Sequence, residues 1–209
     1  MTKVKICGIT DLEDALHAVE CGADELGFNF YKKSPRYISP YDAQVIVDEL
    51  PSFVSKVGVF VDESINSILK TAEIARLDAI QLHGDESYAY VTDLHSQIKI
   101  EIIKAVRVDP GFDWVNTMDF DAHAILFDGF SKDEYGGSGN RFDWKIAEEA
   151  MVMIPYLYLA GGLNPENVAD AIRTVRPYAV DVASGVEASP GKKDPKKIAA
   201  FIKAAKEAL

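Results

Sequence analysis

The chain has 209 residues, 48% hydrophobic and 26% charged, with 33 aspartates and glutamates against 22 lysines and arginines for a net charge of −11. That balance excludes a disordered or low-complexity chain, and a fold this acidic is a poor partner for nucleic acid or an anionic membrane. A small anionic ligand stays open to it, because a few local donors override the global sign. Two cysteines, Cys7 and Cys21, build no disulfide framework, and their spacing does not suit a zinc site. The opening Met-Thr-Lys-Val-Lys-Ile-Cys lacks the apolar run of a signal peptide, and no stretch approaches the roughly 20 apolar residues that cross a bilayer. The expectation is a reduced, cytoplasmic protein.

Eight short runs rich in β-branched residues are predicted as strands, at 3–7, 24–30, 56–61, 79–82, 98–108, 122–128, 156–159 and 179–182. Several are apolar almost throughout, as Val57-Gly58-Val59-Phe60-Val61 and Ala124-Ile125-Leu126-Phe127 are, which is the pattern of parallel strands covered on both faces. A helical segment follows each run. Leu12, Ala15, Leu16 and Val19 keep the i, i+3, i+4, i+7 spacing, as do Ile65, Ile68, Leu69 and Ala72, then Val168, Ala171, Ile172 and Val175, and finally Ile198, Phe201, Ile202 and Ala205. Thr10-Asp11-Leu12-Glu13 reads as a capping box, and Ser39-Pro40, Asn164-Pro165 and Asp194-Pro195 each place a capping side chain before a proline at the first helical position. The weakest helices are 88–95 and 111–118. Continuous βα alternation implies a parallel sheet, and eight units favour a single closed (β/α)8 TIM barrel over an open doubly wound sheet. No linker is visible, so residues 1–209 read as one domain. The longest irregular stretch, 131–140, reads as a mobile loop.

In such a barrel the site is built at the carboxyl ends of the strands. Those positions nominate Cys7, Asn29, Asp62, His83, Arg107, Asp128, Gly161-Gly162 and Ser184-Gly185. Two glycine-rich loops, after the seventh and eighth strands, sit where barrels bind phosphate; glycines let backbone N–H groups approach an anion. Cys7 reads either as a small buried hydrophobe or as a thiol at the barrel mouth able to act as a base. Asp128, ending a buried run, either caps a loop or serves as a carboxylic acid whose proton is held by desolvation. Arg36, between Pro35 and Pro40, is a solvated loop cation or a fork for a carboxylate or phosphate. His83 is a satisfied rim residue or a substrate contact. Cys21 reads as packing, and the other histidines show no ligand spacing, so no metal is indicated.

The blocks Lys5-Ile6-Cys7-Gly8-Ile9-Thr10, Gly27-Phe28-Asn29-Phe30, Ser34-Pro35-Arg36, Val57-Gly58-Val59-Phe60, Gln81-Leu82-His83-Gly84, Asp128, Gly136-Gly137-Ser138-Gly139, Phe142-Asp143-Trp144, Leu159-Ala160-Gly161-Gly162-Leu163-Asn164-Pro165-Glu166-Asn167-Val168, Ser184-Gly185-Val186-Glu187 and Pro190-Gly191-Lys192-Lys193-Asp194 run in order over nearly the whole chain. Together they resemble the N-(5′-phosphoribosyl)anthranilate isomerase family of tryptophan biosynthesis. The resemblance implies a (β/α)8 barrel that turns an aminoaldose phosphate into an aminoketose phosphate by an Amadori rearrangement. It implies Cys7 as general base, Asp128 as general acid and Arg36 on the anthranilate carboxylate. His83 and Asp181 would lie along the substrate, with Gly161, Gly162, Ser184 and Gly185 at its phosphate. No metal or organic cofactor is implied, the partner is a phosphorylated small molecule, and the assembly is a monomer or homodimer. Ala183 stands where the family pattern suggests serine, and the glycine loop reads Gly-Gly-Ser-Gly where Gly-Gly-Thr-Gly is common. Two other readings compete. Indole-glycerol-phosphate synthase would want a catalytic lysine at a strand end and an N-terminal extension. A non-catalytic phosphate-binding barrel would have no need of Cys7 and Asp128 together.

Overall fold

The computed structural model describes residues 1–109, 111–129 and 142–209; the segment 131–140, with its glycine motif, lies outside them. Eight parallel strands, β1 (Lys3–Cys7), β2 (Glu25–Asn29), β3 (Ser55–Phe60), β4 (Ala79–Leu82), β5 (Glu101–Val108), β6 (Ala124–Gly129), β7 (Leu157–Leu159) and β8 (Ala179–Val182), pair in chain order. β1 then closes on β8 in the register Lys3↔Ala179 to Ile6↔Val182. The helices described are α1 (Leu12–Glu20), α2 (Pro40–Val47), α3 (Ile65–Ile74), α4 (Tyr88–Gln97), α5 (Trp144–Ala150), α6 (Val168–Val175) and α7 (Pro195–Lys206). The predicted barrel is therefore the observed one. A short antiparallel hairpin, β9 (Glu187–Ser189) with β10 (Lys192–Lys193), leads from β8 into α7.

The two-residue period of the strands divides the interior into two layers. Val4, Ile6, Leu26, Phe28, Ile80, Leu82, Ile125, Phe127, Val180 and Val182 form one cluster with the helical stripes, the shell between barrel and helices. Val57, Ala79, Ile103, Ala105, Ala124, Leu126, Tyr158 and Ala179 form a separate cluster, the filling of the barrel itself. Lys5, Glu25, Gln81 and Asp181 share this inner register and are buried with it. One pleat further toward the carboxyl ends, the same register delivers Cys7, Asn29, His83 and Asp128.

Local physics departs from the sequence reading at several helix starts. Asp11, not Thr10, caps α1 by accepting from the Asp14 N–H. The Thr10 hydroxyl donates instead to the Gly191 carbonyl, 2.6 Å away, tying the hairpin to the first loop. Ser39 and Asp194 cap α2 and α7 as expected. Asn164 does not start a helix: its side chain accepts from the Glu166 N–H in a local turn, and α6 begins at Val168. Segment 111–118 is a short 3-10 turn, Trp114–Asp119, rather than an α-helix. In α1 the buried face is turned from the expected stripe. Leu16 is exposed while Asp14 is buried, because its carboxylate accepts from the Lys193 N–H at 2.9 Å and from Lys192 Nζ at 3.2 Å.

Candidate active site

One pocket opens at the carboxyl end of the barrel, and Cys7, Asn29, Ser34, Arg36, Gln81, His83, Asp128, Gly161, Gly162, Asp181, Ser184 and Gly185 are among its lining residues. Every nominated site residue that the family resemblance assigned is thus gathered in one place. Asp62 and Arg107 are not among the lining residues. Arg107 pairs with Asp85 beside a neighbouring depression, and the Asp62 carboxylate accepts from the Asp85 N–H. Cys21 sits partly buried just past the C-terminus of α1, with its sulfur 3.5 Å from His17 Nε2.

Cys7 ends β1, facing Gly27 of β2. A Cβ at position 27 would lie 2.6 Å from the Cys7 sulfur, so the glycine makes room for the thiol. Burial pushes the Cys7 thiol above its ordinary value. The Lys5 ammonium opposes that rise, Asp181 adds to it, and Lys193 again opposes it. Lys193 belongs to the hairpin and is fully buried. Its Nζ donates to the Cys7 carbonyl at 2.6 Å, to Glu187 at 3.0 Å and to the Ala183 carbonyl at 3.2 Å. The charges of Lys5 and Lys193 thus both act on the thiol, while burial pushes Lys193 itself below its ordinary value.

Arg36 is held as a fork. Its Nε and Nη2 each donate to one Glu187 oxygen at 2.8 Å, the bidentate geometry in which an arginine is least free to reorient. Burial would raise the Glu187 carboxyl, but the Arg36 fork and Lys193 outweigh it and hold the group below its usual range. Gly8, at φ 77°, sits beneath the arginine stem; a Cβ there would lie 2.6 Å from Arg36 Cδ. The Ser34 hydroxyl accepts from the Arg36 N–H at 3.1 Å and fixes the loop.

The loops after β7 and β8 meet at the same mouth. Gly161 and Gly162 take φ values of 82° and 66°, in the left-handed region that favours glycine. Gly185 packs so closely under the first loop that a Cβ would fall 1.9 Å from the Leu163 carbonyl oxygen. Ser184 opens a short 3-10 turn, Ser184–Val186. Ala183, where serine was expected, supplies only its backbone, accepting from Lys193.

Asp128 ends the inner register of β6 and is 4% exposed. Its Oδ2 lies 3.1 Å from His83 Nε2. The other ring nitrogen of His83 is 2.7 Å from Gln81 Nε2. Gln81 in turn receives a hydrogen bond from Lys5, which also donates to Asp181 at 2.9 Å. Lys5, Gln81, Glu187 and Lys193 were not singled out from the sequence. Lys5 and Gln81 had a signal available: each lies two residues before a nominated one on its strand, hence on the same inward face. For Glu187 and Lys193 the βα pattern gave no signal, because it does not imply a hairpin after the last strand; only the blocks of the family resemblance run across them.

Chemistry-bearing side chains buried at the carboxyl ends of a closed parallel barrel define the class: this is a (β/α)8-barrel enzyme. The model of N-(5′-phosphoribosyl)anthranilate isomerases matches residues 4–204. The isomerase of Trichlorobacter lovleyi is 51% identical over 209 residues, covering all of both chains. The crystal structure of the Thermotoga maritima enzyme superposes with a TM-score of 0.92 at 50% identity over 99% of each chain. A phosphoribosyl anthranilate isomerase in complex with reduced 1-(o-carboxyphenylamino)-1-deoxyribulose 5-phosphate superposes at 0.88, again at 50% identity over 99% of each chain. The chain belongs to the N-(5′-phosphoribosyl)anthranilate isomerase family. No helix among the described residues is long and apolar enough to cross a membrane.

Proposed function

We propose that this barrel, acting as one catalytic domain over residues 1–209, converts N-(5′-phosphoribosyl)anthranilate to 1-(2-carboxyphenylamino)-1-deoxyribulose 5-phosphate, with Asp128 as general acid and Cys7 as general base. The observation that carries the reading is that a thiol and a carboxyl from strands on different sides of the barrel line one pocket with a fixed arginine and two glycine loops. It works in the cytoplasm, as a monomer or homodimer.

Asp128 gives its proton to the furanose ring oxygen as the C1–O bond breaks, and the nitrogen lone pair forms an iminium at C1. That cation acidifies the C2 hydrogen. Cys7, as thiolate, removes it, and the electrons of the C2–H bond form the C1=C2 double bond and neutralise the nitrogen. The enolamine then gains a proton at C1 and loses the one on its C2 hydroxyl, giving the ketone. Cys7 and Asp128 return to their starting states by exchange with solvent. Because burial favours the neutral thiol, the neighbouring ammonium groups of Lys5 and Lys193 are what support the thiolate.

The substrate carries an anion at each end, and the site offers donors at each end. Arg36 meets the anthranilate carboxylate, and the backbone N–H groups around Gly161, Gly162, Ser184 and Gly185 meet the phosphate. Asp181 lies along the sugar between them. Holding both ends places C2 over the thiol and the ring oxygen at the carboxyl, which is where orientation lowers the barrier. The binding arm is tested by calorimetric titration with the reduced aminoketose phosphate. Arg36→Ala should weaken its binding by about 1.5–3 kcal/mol, roughly ten- to a hundredfold, as expected for a hydrogen bond to a charged group. Unchanged affinity would remove Arg36 from the substrate.

A further inference from the structure

We propose that Lys5, Gln81 and His83 form a hydrogen-bond chain of fixed direction, which sets His83 as its Nε2–H tautomer and makes it the positioning residue for Asp128. The catalytic half of this rests on Asp128 being the general acid; the direction of the chain does not.

The direction follows from what each group is able to do. A lysine ammonium only donates. Lys5 Nζ is fully buried and stands 2.8 Å from Gln81 Oε1, so the carbonyl end of the amide faces Lys5. The amide nitrogen, which also only donates, then faces His83 Nδ1 at 2.7 Å. Nδ1 must present a lone pair to it. A neutral ring accordingly carries its proton on Nε2, 3.1 Å from Asp128 Oδ2. The direction of the amide, which distances alone leave open, is set by the lysine at its far end. A proton at Nδ1 would put two donors face to face, so the amide fixes the orientation that the ring presents to Asp128. The chain runs along the floor of the pocket with little exposure, Gln81 at 1% and His83 at 8%.

Two consequences reach the chemistry. His83 has both ring nitrogens engaged by the protein, so its hydrogen bonds serve Asp128 rather than the sugar. The N–H directed at Oδ2 also decides which oxygen of Asp128 carries the acid proton. A proton on Oδ2 would oppose the imidazole N–H, which leaves Oδ1 as the oxygen able to carry it. The ring thereby holds the carboxyl in one rotamer before substrate arrives.

The test has two parts on the full-length protein. Nitrogen-15 NMR of the histidine rings in the free wild type at about pH 8, where an imidazole is neutral, should show His83 protonated at Nε2 and bare at Nδ1, the signal being assigned by its loss in His83→Gln. An Nδ1–H ring would overturn the chain direction. In turnover, His83→Ala should lower kcat about a hundredfold with KM changed less than about threefold, while His83→Gln, whose amide N–H can stand where Nε2–H stands, should recover at least about tenfold of that loss. A raised KM at preserved kcat would make His83 a substrate contact instead, and equal kcat losses in the two variants would overturn the positioning role. Absence of turnover in the wild type would count against the isomerase reading alone, since the ring spectrum decides the chain direction independently of it.

Discussion

Asp128→Asn and Cys7→Ala should each lower kcat/KM by about 10²–10⁴-fold, with folded protein retained in both. Asparagine keeps the shape and the hydrogen-bonding end that faces His83 but has no proton to give the ring oxygen. Alanine removes the sulfur next to Gly27, a loss in packing that should stay within about 1–2 kcal/mol. The two groups act on successive steps of one reaction, so the double variant should lose much less than the product of the two factors. A base whose conjugate acid is pushed up by burial is deprotonated more fully as pH rises, so wild-type kcat/KM should climb toward alkaline pH. The Cys7→Ala variant should lack that rise. Steady-state kinetics with circular dichroism as a folding control decides the matter. Near wild-type turnover in both variants would remove the acid–base assignment.

Lys5→Met should cost about 3–5 kcal/mol of stability, because it leaves the Asp181 carboxylate buried without its cation. Lys5 has no exposure to solvent, and its Nζ lies 2.9 Å from Asp181. Burial by itself would lower the lysine, but Asp181 and then Cys7 outweigh it and hold the ammonium well above its ordinary value of 10.5. A basic group raised in this way stabilises the fold fully below its unfolded value and loses that contribution as pH climbs from there through its folded value. The gap between wild type and Lys5→Met should therefore be constant through neutral pH and shrink only above about pH 10.4. Urea unfolding provides the measurement. Arg173, whose pair with Asp170 is exposed on α6, is the control, and Arg173→Ala should change stability by about 1 kcal/mol or less. A Lys5→Met loss as small as the control's would mean that the inner ion pair is not stabilising.

The barrel was legible in the sequence because two periods, 2 and 3.6, alternate along it without interruption. The stripes on α6 and α7 were read to the residue, since Val168, Ala171, Ile172 and Val175, and Ile198, Phe201, Ile202 and Ala205, are all buried. What escaped was set by long-range polar contacts. Asp14 turns inward because the hairpin residues Lys192 and Lys193 reach it from 178 and 179 positions away. Thr10 leaves the cap position for a carbonyl on the same hairpin. Asn164 spends its side chain on a local turn, which delays α6 to Val168. The site was legible as strand ends and as a family pattern, and those residues do converge. Their support was not. Glu187 on Arg36 and Lys193 on the Cys7 carbonyl depend on the hairpin after β8, which neither period announces. Lys5 and Gln81 were hidden in plain alternation, as polar residues in strands that otherwise read as apolar.

The central claim is that the buried thiol and carboxyl at the barrel mouth carry out an aminoaldose-to-aminoketose isomerisation. The most direct measurement follows the fluorescence of N-(5′-phosphoribosyl)anthranilate, generated in situ, after addition of the purified wild-type protein and of the Asp128→Asn and Cys7→Ala variants. The wild type should consume it with a kcat in the range of about 1–10³ s⁻¹, yielding a product of unchanged mass that carries a ketone, and each variant should be slower by the factors above. Decay no faster than the spontaneous hydrolysis of the substrate, or equal rates in all three proteins, would contradict the account.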